Sequence, residues 1–523
     1  MTTISPSTLP KEIHDFVVNL PPSSVAVTAV SGLFVLLGLF AFQLISASDK
    51  SLRGVPELKG YPLLGAAHYY LQDGMPSLLG RLIAVGNKGI SFARVGHNIL
   101  VSVHGPELVK EVHAFTDDIA SREGGVGRMS WSPFWTLRRL IGNSLFNRVG
   151  PEITGHRNAF IREFNSTKSN QDKFSTISKV AKEHAEFLVG NAASADVDDI
   201  RYSADNFAIG LWGETLYANP EHHRDGKVLS LSEHIITLAG DPWPSVWYSI
   251  GLLFRLVTPG EPTRSESKIQ AEVGEVVKNN LIKLEEYERL NPEAPPKTIR
   301  SLSMATGGGR HGPLSRPAAE FTNLNLFGGH HSIGLNVTWA FIELNKHPEY
   351  LAKLRAEVDG SDLDDFNTVN SKMPYLNAVI MEINRLHPTV HATLRVMNKE
   401  RTVGNEGVVL QPGMLIYLSY LHLHTSPEYW GPTAGEFDPQ RFLGGYDKDK
   451  PFMAFGYGPR NCVSYTPHPR THSRVPGDKN PDTNMLFSPS GRWDTSSPSS
   501  RPSCTLRRLL KCMMWMSRNG TMR

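Results

Sequence analysis

"FGYGPRNC", Phe455 to Cys462, sets Gly456, Gly458, Pro459 and Arg460 in the run-up to the first cysteine of the chain. Such glycines let backbone approach a flat ligand closely and turn amide hydrogens toward a sulfur, and a thiolate needs those donors to stay ionised. Taken alone, a cysteine among glycines is more often a small buried hydrophobe than a ligand. The spacing within the loop, and what stands upstream of it, decides between the two.

The 523 residues are 40% hydrophobic and 20% charged, a composition that buries a large core and excludes a disordered chain. Formal charge is +3, from 54 basic and 51 acidic residues. So even a balance makes no field for nucleic acid, and no interleaving of basic and aromatic residues marks a single-strand binder. Nucleic acid is therefore not expected as a partner. Cys462, Cys504 and Cys512 all fall late, so no disulfide framework holds the preceding body, which suits a reducing compartment.

No Asp, Glu, Lys or Arg lies between Asp15 and Asp49, and "VAVTAVSGLFVLLGLFAFQLISA", Val25 to Ala47, is long enough to cross a bilayer as one helix. A cleaved signal peptide ending at Ser46 to Ser48 would need a basic N-region and a shorter apolar core, whereas Lys11 is offset by Glu12 and Asp15. The segment reads as a membrane anchor. Lys50, Arg53 and Lys59 follow it and place the body on the cytoplasmic side, where the sequons at Asn165 and Asn336 escape glycosylation. The expected plan is a lumenal N-terminus (1–24), the anchor (25–47), a Pro/Gly hinge (48–65), a catalytic domain (66–462) and an atypical polar tail (463–523).

Within the body, "ISFARVGHNILVSVHGPELVKEVHAF" predicts two short strands around a Gly-His-Asn turn and a helix opened by Pro106. Residues 135–290 are mostly helical in pattern, and Asn291 to Pro317, with its prolines and triple glycine, reads as a mobile loop. A helix is expected from Glu320, broken at "KHPE", where Pro348 fits the first turn of the next. "MPYLNAVIMEINRLHPTV" predicts a further helix ending near His387, followed by strand-like "GVVLQ" and "MLIYLSY".

The loop "FGYGPRNC" resembles the haem-binding loop of the cytochrome P-450 superfamily, with Phe455, Gly458, Arg460 and Cys462 in register. The resemblance implies that Cys462 is the axial thiolate ligand of haem iron and that Arg460 pairs with a haem propionate. Phe455 and Gly458 would then lie against the cofactor. "EINR" puts Glu382 and Arg385 on one helix face, and alone would be a solvated pair. With "FDPQRF" it resembles the family's buried Glu-Arg-Arg cluster, Arg441 being the third member. "WSPFWTLRRL" resembles the propionate-binding helix through Trp135 and Arg139, although a packed tryptophan and a surface arginine read equally well. Arg395, in "PTVHATLRVM", occupies the place of another propionate-binding arginine, and "HTSPEYWGPTAGEFDP" around His424 and Trp430 is also similar. These matches stand in the family's order over roughly residues 55–462.

Two departures stand out. Where the family's central helix carries an acid and then a threonine that relay protons, this chain has "GGHHSI", Gly328 to Ile333, with His331 in the acid's place and Ser332 in the threonine's. An imidazole titrating near neutrality and a hydroxyl can relay protons; as an alternative, His330 and His331 are ordinary pocket residues and water or substrate does the relay. After Cys462 the family begins an apolar helix across the haem, whereas here Ser464 leads into a segment with Pro467, Pro469, Pro476 and Pro481, which forbid a regular helix. The preferred reading is an unspliced intron or shifted frame beginning at Val463. The other is a diverged tail with "TLRRLLKCMMWM", Thr505 to Met516, as an amphipathic interaction helix.

The expected architecture is mainly α with small β-sheets, the cytochrome P-450 fold preceded by one N-terminal transmembrane helix. The resemblance implies haem b, a flavoprotein reductase passing NADPH electrons through its flavins, and oxidation of a lipophilic small molecule with dioxygen. It further implies a single-pass protein of the endoplasmic-reticulum membrane, in secondary metabolism and by general resemblance in a fungus. Competing expectations are a reductase-independent isomerase or dehydratase, and a non-catalytic membrane protein that lost haem with its last helix.

Overall fold

The computed structural model describes residues 52–61, 65–95, 98–115, 119–120, 152–191, 200–222, 226–240, 264–445, 447 and 449–464. The proposed anchor at Val25 to Ala47, the Trp135 and Arg139 pair, and the tail beyond Ser464 lie outside these residues. Among the described residues no helix is long and apolar enough to cross a membrane.

In chain order the elements are β1 (Glu57–Leu58), α1 (Ala67–Val85), β2 (Ile90–Val95), β3 (Asn98–Val103), α2 (Pro106–Ala114), β4 (Ile119–Ala120), α3 (Glu152–Asn165), α4 (Thr167–Asn191), α5 (Ile200–Tyr217) and α6 (Lys227–Gly240). There follow α7 (Arg264–Leu290), α8 (Thr298–Ala305), α9 (Arg316–Gly328), α10 (His330–Lys346), α11 (Pro348–Asp359), α12 (Phe366–Ser371) and α13 (Pro374–Leu386). The last are β5 (Ala392–Met397), β6 (Arg401–Val403), β7 (Val408–Leu410), β8 (Leu415–Ser419), α14 (Tyr420–Thr425) and α15 (Pro427–Trp430). Pro106, Pro348, Pro374 and Pro427 each open a helix, where the missing N–H costs nothing and the fixed φ suits the first turn.

The chain divides into two compact units. The first comprises Met1–Ser102 and Arg401–Leu415. In it β1 runs parallel to β2 with Glu57 opposite Phe92 and Leu58 opposite Ala93, so part of the Pro/Gly segment is sheet. The pair β6 and β7 is antiparallel, with Thr402 opposite Val409. Leu78 and Leu82 of α1 and Ala93 and Val101 of the strands are buried.

The second unit, Val103–Glu400 and Ile416–Arg523, holds the helical body, and in it the strand order is β8-β5-β4. One core joins Phe160 and Phe164 of α3, Leu216 and Tyr217 of α5, Leu284 of α7, Ile299 and Leu302 of α8, and Phe321 of α9. A second joins Leu344, Leu351, Leu354, Val379, Ile383 and Phe437 across α10, α11 and α13. Mutual burial of apolar side chains, about 1.5–3 kcal/mol for each large one, sets these helices against one another.

Two expectations are corrected. The segment expected as a mobile loop over 291–317 contains α8, because Ile299 and Leu302, three apart, enter the first of these cores. Arg300 is anchored beside them, its Nε 2.8 Å and its Nη2 3.0 Å from the two oxygens of Glu288. Prolines and glycines flank this helix but do not enter it. The long central helix begins at Arg316, one turn before Glu320, and is interrupted at Gly329. There the Gly329 N–H reaches Asn325 O over a long 3.4 Å, and a Cβ at Gly329 would strike Asn325 Oδ1 and crowd Trp212.

Candidate functional site

Local backbone chemistry delivers Cys462. Gly456 and Gly458 stand at φ 75° and 69°, the left-handed region that other residues enter at a cost. At Gly458 a Cβ would also lie 3.1 Å from the carbonyl oxygen of His113, at the end of α2. Pro459 fixes a single turn of 3-10 helix over Gly458–Arg460. The Cys462 amide then donates to Phe455 O at 2.7 Å, closing the loop on its first residue. The cysteine side chain is left exposed.

Helix α3 holds the peptides on either side of that cysteine. Arg157 Nη2 donates to both the backbone and side-chain oxygens of Asn461, and Asn165 Nδ2 donates to Val463 O at 3.4 Å. Burial pushes the Arg157 guanidinium down to about 10, the Cys462 sulfur opposes that shift and the Arg460 charge adds to it. Sequence reading missed Arg157, because a lone arginine in a helical pattern carries no sign of a partner 304 residues away.

Arg395, 7% exposed on β5, lies within reach of the charge of Arg460 in the loop. Its Nη1 donates to Thr393 Oγ1 at 2.8 Å and Leu394 O at 3.1 Å, and no carboxylate among the described residues pairs with it. Burial lowers its pKa, Tyr420 opposes this, and the nearby Arg460 lowers it further. The Tyr420 hydroxyl lies 2.9 Å from His113 Nε2 and the two rings stack. Burial and then Arg395 push His113 down to about 3, so this ring is neutral. A buried guanidinium facing like charge, with no carboxylate partner among the described residues, is suited to an acidic group from a ligand. The exposed Cys462 sulfur, 2.9 Å from the Ser464 hydroxyl, lies within the electrostatic reach of Arg157, and such a sulfur among cations fits an iron macrocycle carrying carboxylates.

Behind the loop, Glu382 and Arg385 of α13 are wholly buried. Arg385 Nε and Nη2 donate to the two Glu382 oxygens, each at 2.7 Å. Its Nη1 donates to His424 O and Ala434 O, both at 2.6 Å, and Nη2 to Glu436 O at 3.0 Å. Every N–H of this guanidinium is thereby used, and the group also sits 5.1 Å from the centre of the Trp430 ring. Arg441 joins less tightly. Its Nε is 3.4 Å from Glu382 Oε1 without the alignment of a hydrogen bond, while Nη2 donates to Thr433 O at 2.6 Å. The chain thus brings Glu382, Arg385 and Arg441 together.

On α10, the Ser332 hydroxyl donates to Gly329 O at 3.2 Å across the helix interruption. His331 turns instead toward α5, its Nδ1 3.6 Å from Asp205 Oδ2. His330 is buried, and burial holds it down to about 4, against the opposing charge of Asp205.

Comparison with known proteins agrees with this geometry. A family model described as cytochrome P-450 matches residues 58–463. A cytochrome P-450 of Paris polyphylla, CYP72A616, is 24% identical over 430 residues, 79% of this chain and 79% of that protein. The echinocystic acid 23-monooxygenase of Saponaria officinalis is 32% identical over a shorter stretch, 31% of this chain and 33% of its own. The crystal structure of a cytochrome P-450, CYP102L1, superposes with a TM-score of 0.60 at 18% identity, covering 78% of this chain and 88% of that one. The last likeness is one of fold.

Proposed function

Because this chain belongs to the cytochrome P-450 family of haem-dependent monooxygenases, we propose that it oxidises a lipophilic small molecule with dioxygen, using NADPH electrons passed on by a separate flavoprotein reductase. The observation that carries this reading is the delivery of an exposed Cys462 by a closed glycine loop whose Arg460 lies close enough to the buried Arg395 for their charges to be felt. Haem, when bound, supplies the activation of dioxygen; the protein orients, insulates and delivers protons.

In this reading Cys462 ligates the iron through its thiolate, with Phe455 and Gly458 against the macrocycle. Arg460 and Arg395 hold its propionates together with Trp135 and Arg139. The Arg385 bonds to Glu382 and to the carbonyls of His424, Ala434 and Glu436 keep the segment behind the cofactor rigid, and Arg441 reinforces it. Ser332 and His331 would hold and pass protons on α10. Val25 to Ala47 anchors the protein in the endoplasmic-reticulum membrane with its body in the cytoplasm, where lipophilic substrates are collected. The name of the Saponaria relative, a monooxygenase of echinocystic acid, supports secondary metabolism as the setting.

The test is a reduced carbon monoxide difference spectrum of the purified protein. A thiolate-ligated haem gives the red-shifted band from which the family takes its name, and Cys462→Ser removes it. A folded protein without that band overturns the reading. The loss of the acid at His331 favours one second reading, a rearrangement of an oxygenated substrate without reductase. Turnover in the absence of NADPH and reductase would establish it instead.

A further inference from the structure

The proton path expected from His331 lacks the carboxylate that usually starts it, but a buried carboxylate stands one helix away. Asp205 of α5 is 1% exposed, and α5 and α10 approach so closely that a Cβ at Gly334 would collide with its Oδ1. That oxygen has no hydrogen-bond partner, and neither have Asn325 Oδ1 nor His330 Nε2. His330 bonds the Asn325 carbonyl and is held neutral by burial, so its remaining nitrogen accepts. Buried acceptors left unpaired are costly and in native proteins take water or a proton. The charged and titratable groups around Asp205 are His331, with Nδ1 at 3.6 Å from Oδ2, Arg201, with Nε at 3.7 Å from the same oxygen, and His330.

We propose that Asp205, acting from α5, is the positioning carboxylate of this proton path: it holds His331 in the tautomer protonated at Nδ1 and stabilises the imidazolium formed when His331 takes a proton. At 3.6 Å the two atoms are just beyond hydrogen-bond distance, and a small rotation of either side chain closes the gap. With Nδ1 turned to Asp205, Nε2 is the atom that takes a proton from water and releases it again. One proton enters, one leaves, and no electron moves. An imidazole fixed by a carboxylate on its other nitrogen is a recurrent way of setting tautomer and basicity. The assignment deepens the monooxygenase reading and rests on it.

The experiment uses the haem-loaded protein in its diamagnetic ferrous carbon monoxide state, labelled with nitrogen-15 histidine, with His331→Gln identifying the resonances. The wild type is expected to show His331 protonated at Nδ1 near neutral pH. Asp205→Asn should shift that signal to the Nε2-protonated form, and Asp205→Glu should restore it. A wild-type His331 protonated only at Nε2 overturns the assignment even if Asp205→Asn does not fold, as does a His331 signal unmoved by Asp205→Asn. Absence of the red-shifted carbon monoxide band in the wild type instead overturns the haem-thiolate reading beneath it.

Discussion

Arg157 shows what one side chain contributes at the site. Its two bonds to Asn461 set the peptide next to Cys462, so its removal should loosen the loop rather than unfold α3. Arg157→Gln is expected to lower haem retention roughly 10-fold or more, in the range of lost outer-shell partners, with partial rescue by Arg157→Lys. Haem absorbance per chain after gel filtration checks it; equal retention in all three proteins would refute it. His424 makes the pH argument. It is fully buried, it accepts from Met453 N at 2.8 Å, and burial with the Arg385 charge pushes it from 6.5 down to about 3. Above pH 6.5 folded and unfolded chains both hold this ring neutral. Below it the unfolded chain takes a proton that the folded chain refuses, so stability is complete above that pH and lost as acid is added. His113 and His330 act in the same direction. Thermal stability should therefore fall steadily from pH 6.5 toward about 4, and a flat profile across that window would contradict it.

At the scale of elements, α13 and α8 make opposite lessons. The Glu382 and Arg385 pairing was legible in "EINR" because partners three apart on a helix share a face. What the spacing could not reveal is that Arg385 also satisfies three carbonyls between His424 and Glu436, since those bonds are made across the fold. Arg385→Ala leaves the buried Glu382 carboxylate with only the Asp438 N–H and the looser Arg441 contact, a loss of roughly 3–5 kcal/mol, to be read from chemical denaturation. Arg385→Lys cannot supply five donors in a planar fork and should recover little of it. Helix α8 was hidden by its surroundings: proline and glycine signals on both sides outweighed eight residues whose apolar pair is decisive only once a core exists to receive it. Ile299→Ala should cost about 2–5 kcal/mol, whereas a true loop residue would cost almost nothing, and the same denaturation series separates the two.

For the whole molecule, the ordered motifs from "EINR" to "FGYGPRNC" made the family and the mainly helical body readable, since each motif is a local spacing. The partition into two units, the first of which takes back Arg401–Leu415 after most of the body has intervened, is a matter of tertiary contact and leaves no local mark. The same holds for Asp205 meeting His331 and for Arg157 meeting Asn461. Residues beyond Val463 fall outside the family match, so the proposal of a retained intron has a direct check: sequencing the transcript across codon 462. A message joining that codon to an apolar helix supports it, and one reading continuously into "YTPHPRTHSRVP" sinks it. The grip of α3 on Asn461 also orders events in time. Its guanidinium must wait, hydrated and without its partner, while 304 further residues are made, and closing so long a loop comes late. A ribosome-bound chain that stops short of Asn461 can thus assemble α3 and most of the other helices and still lack the two bonds that fix its Gly-rich loop, so this contact is made only after the loop itself has been synthesised.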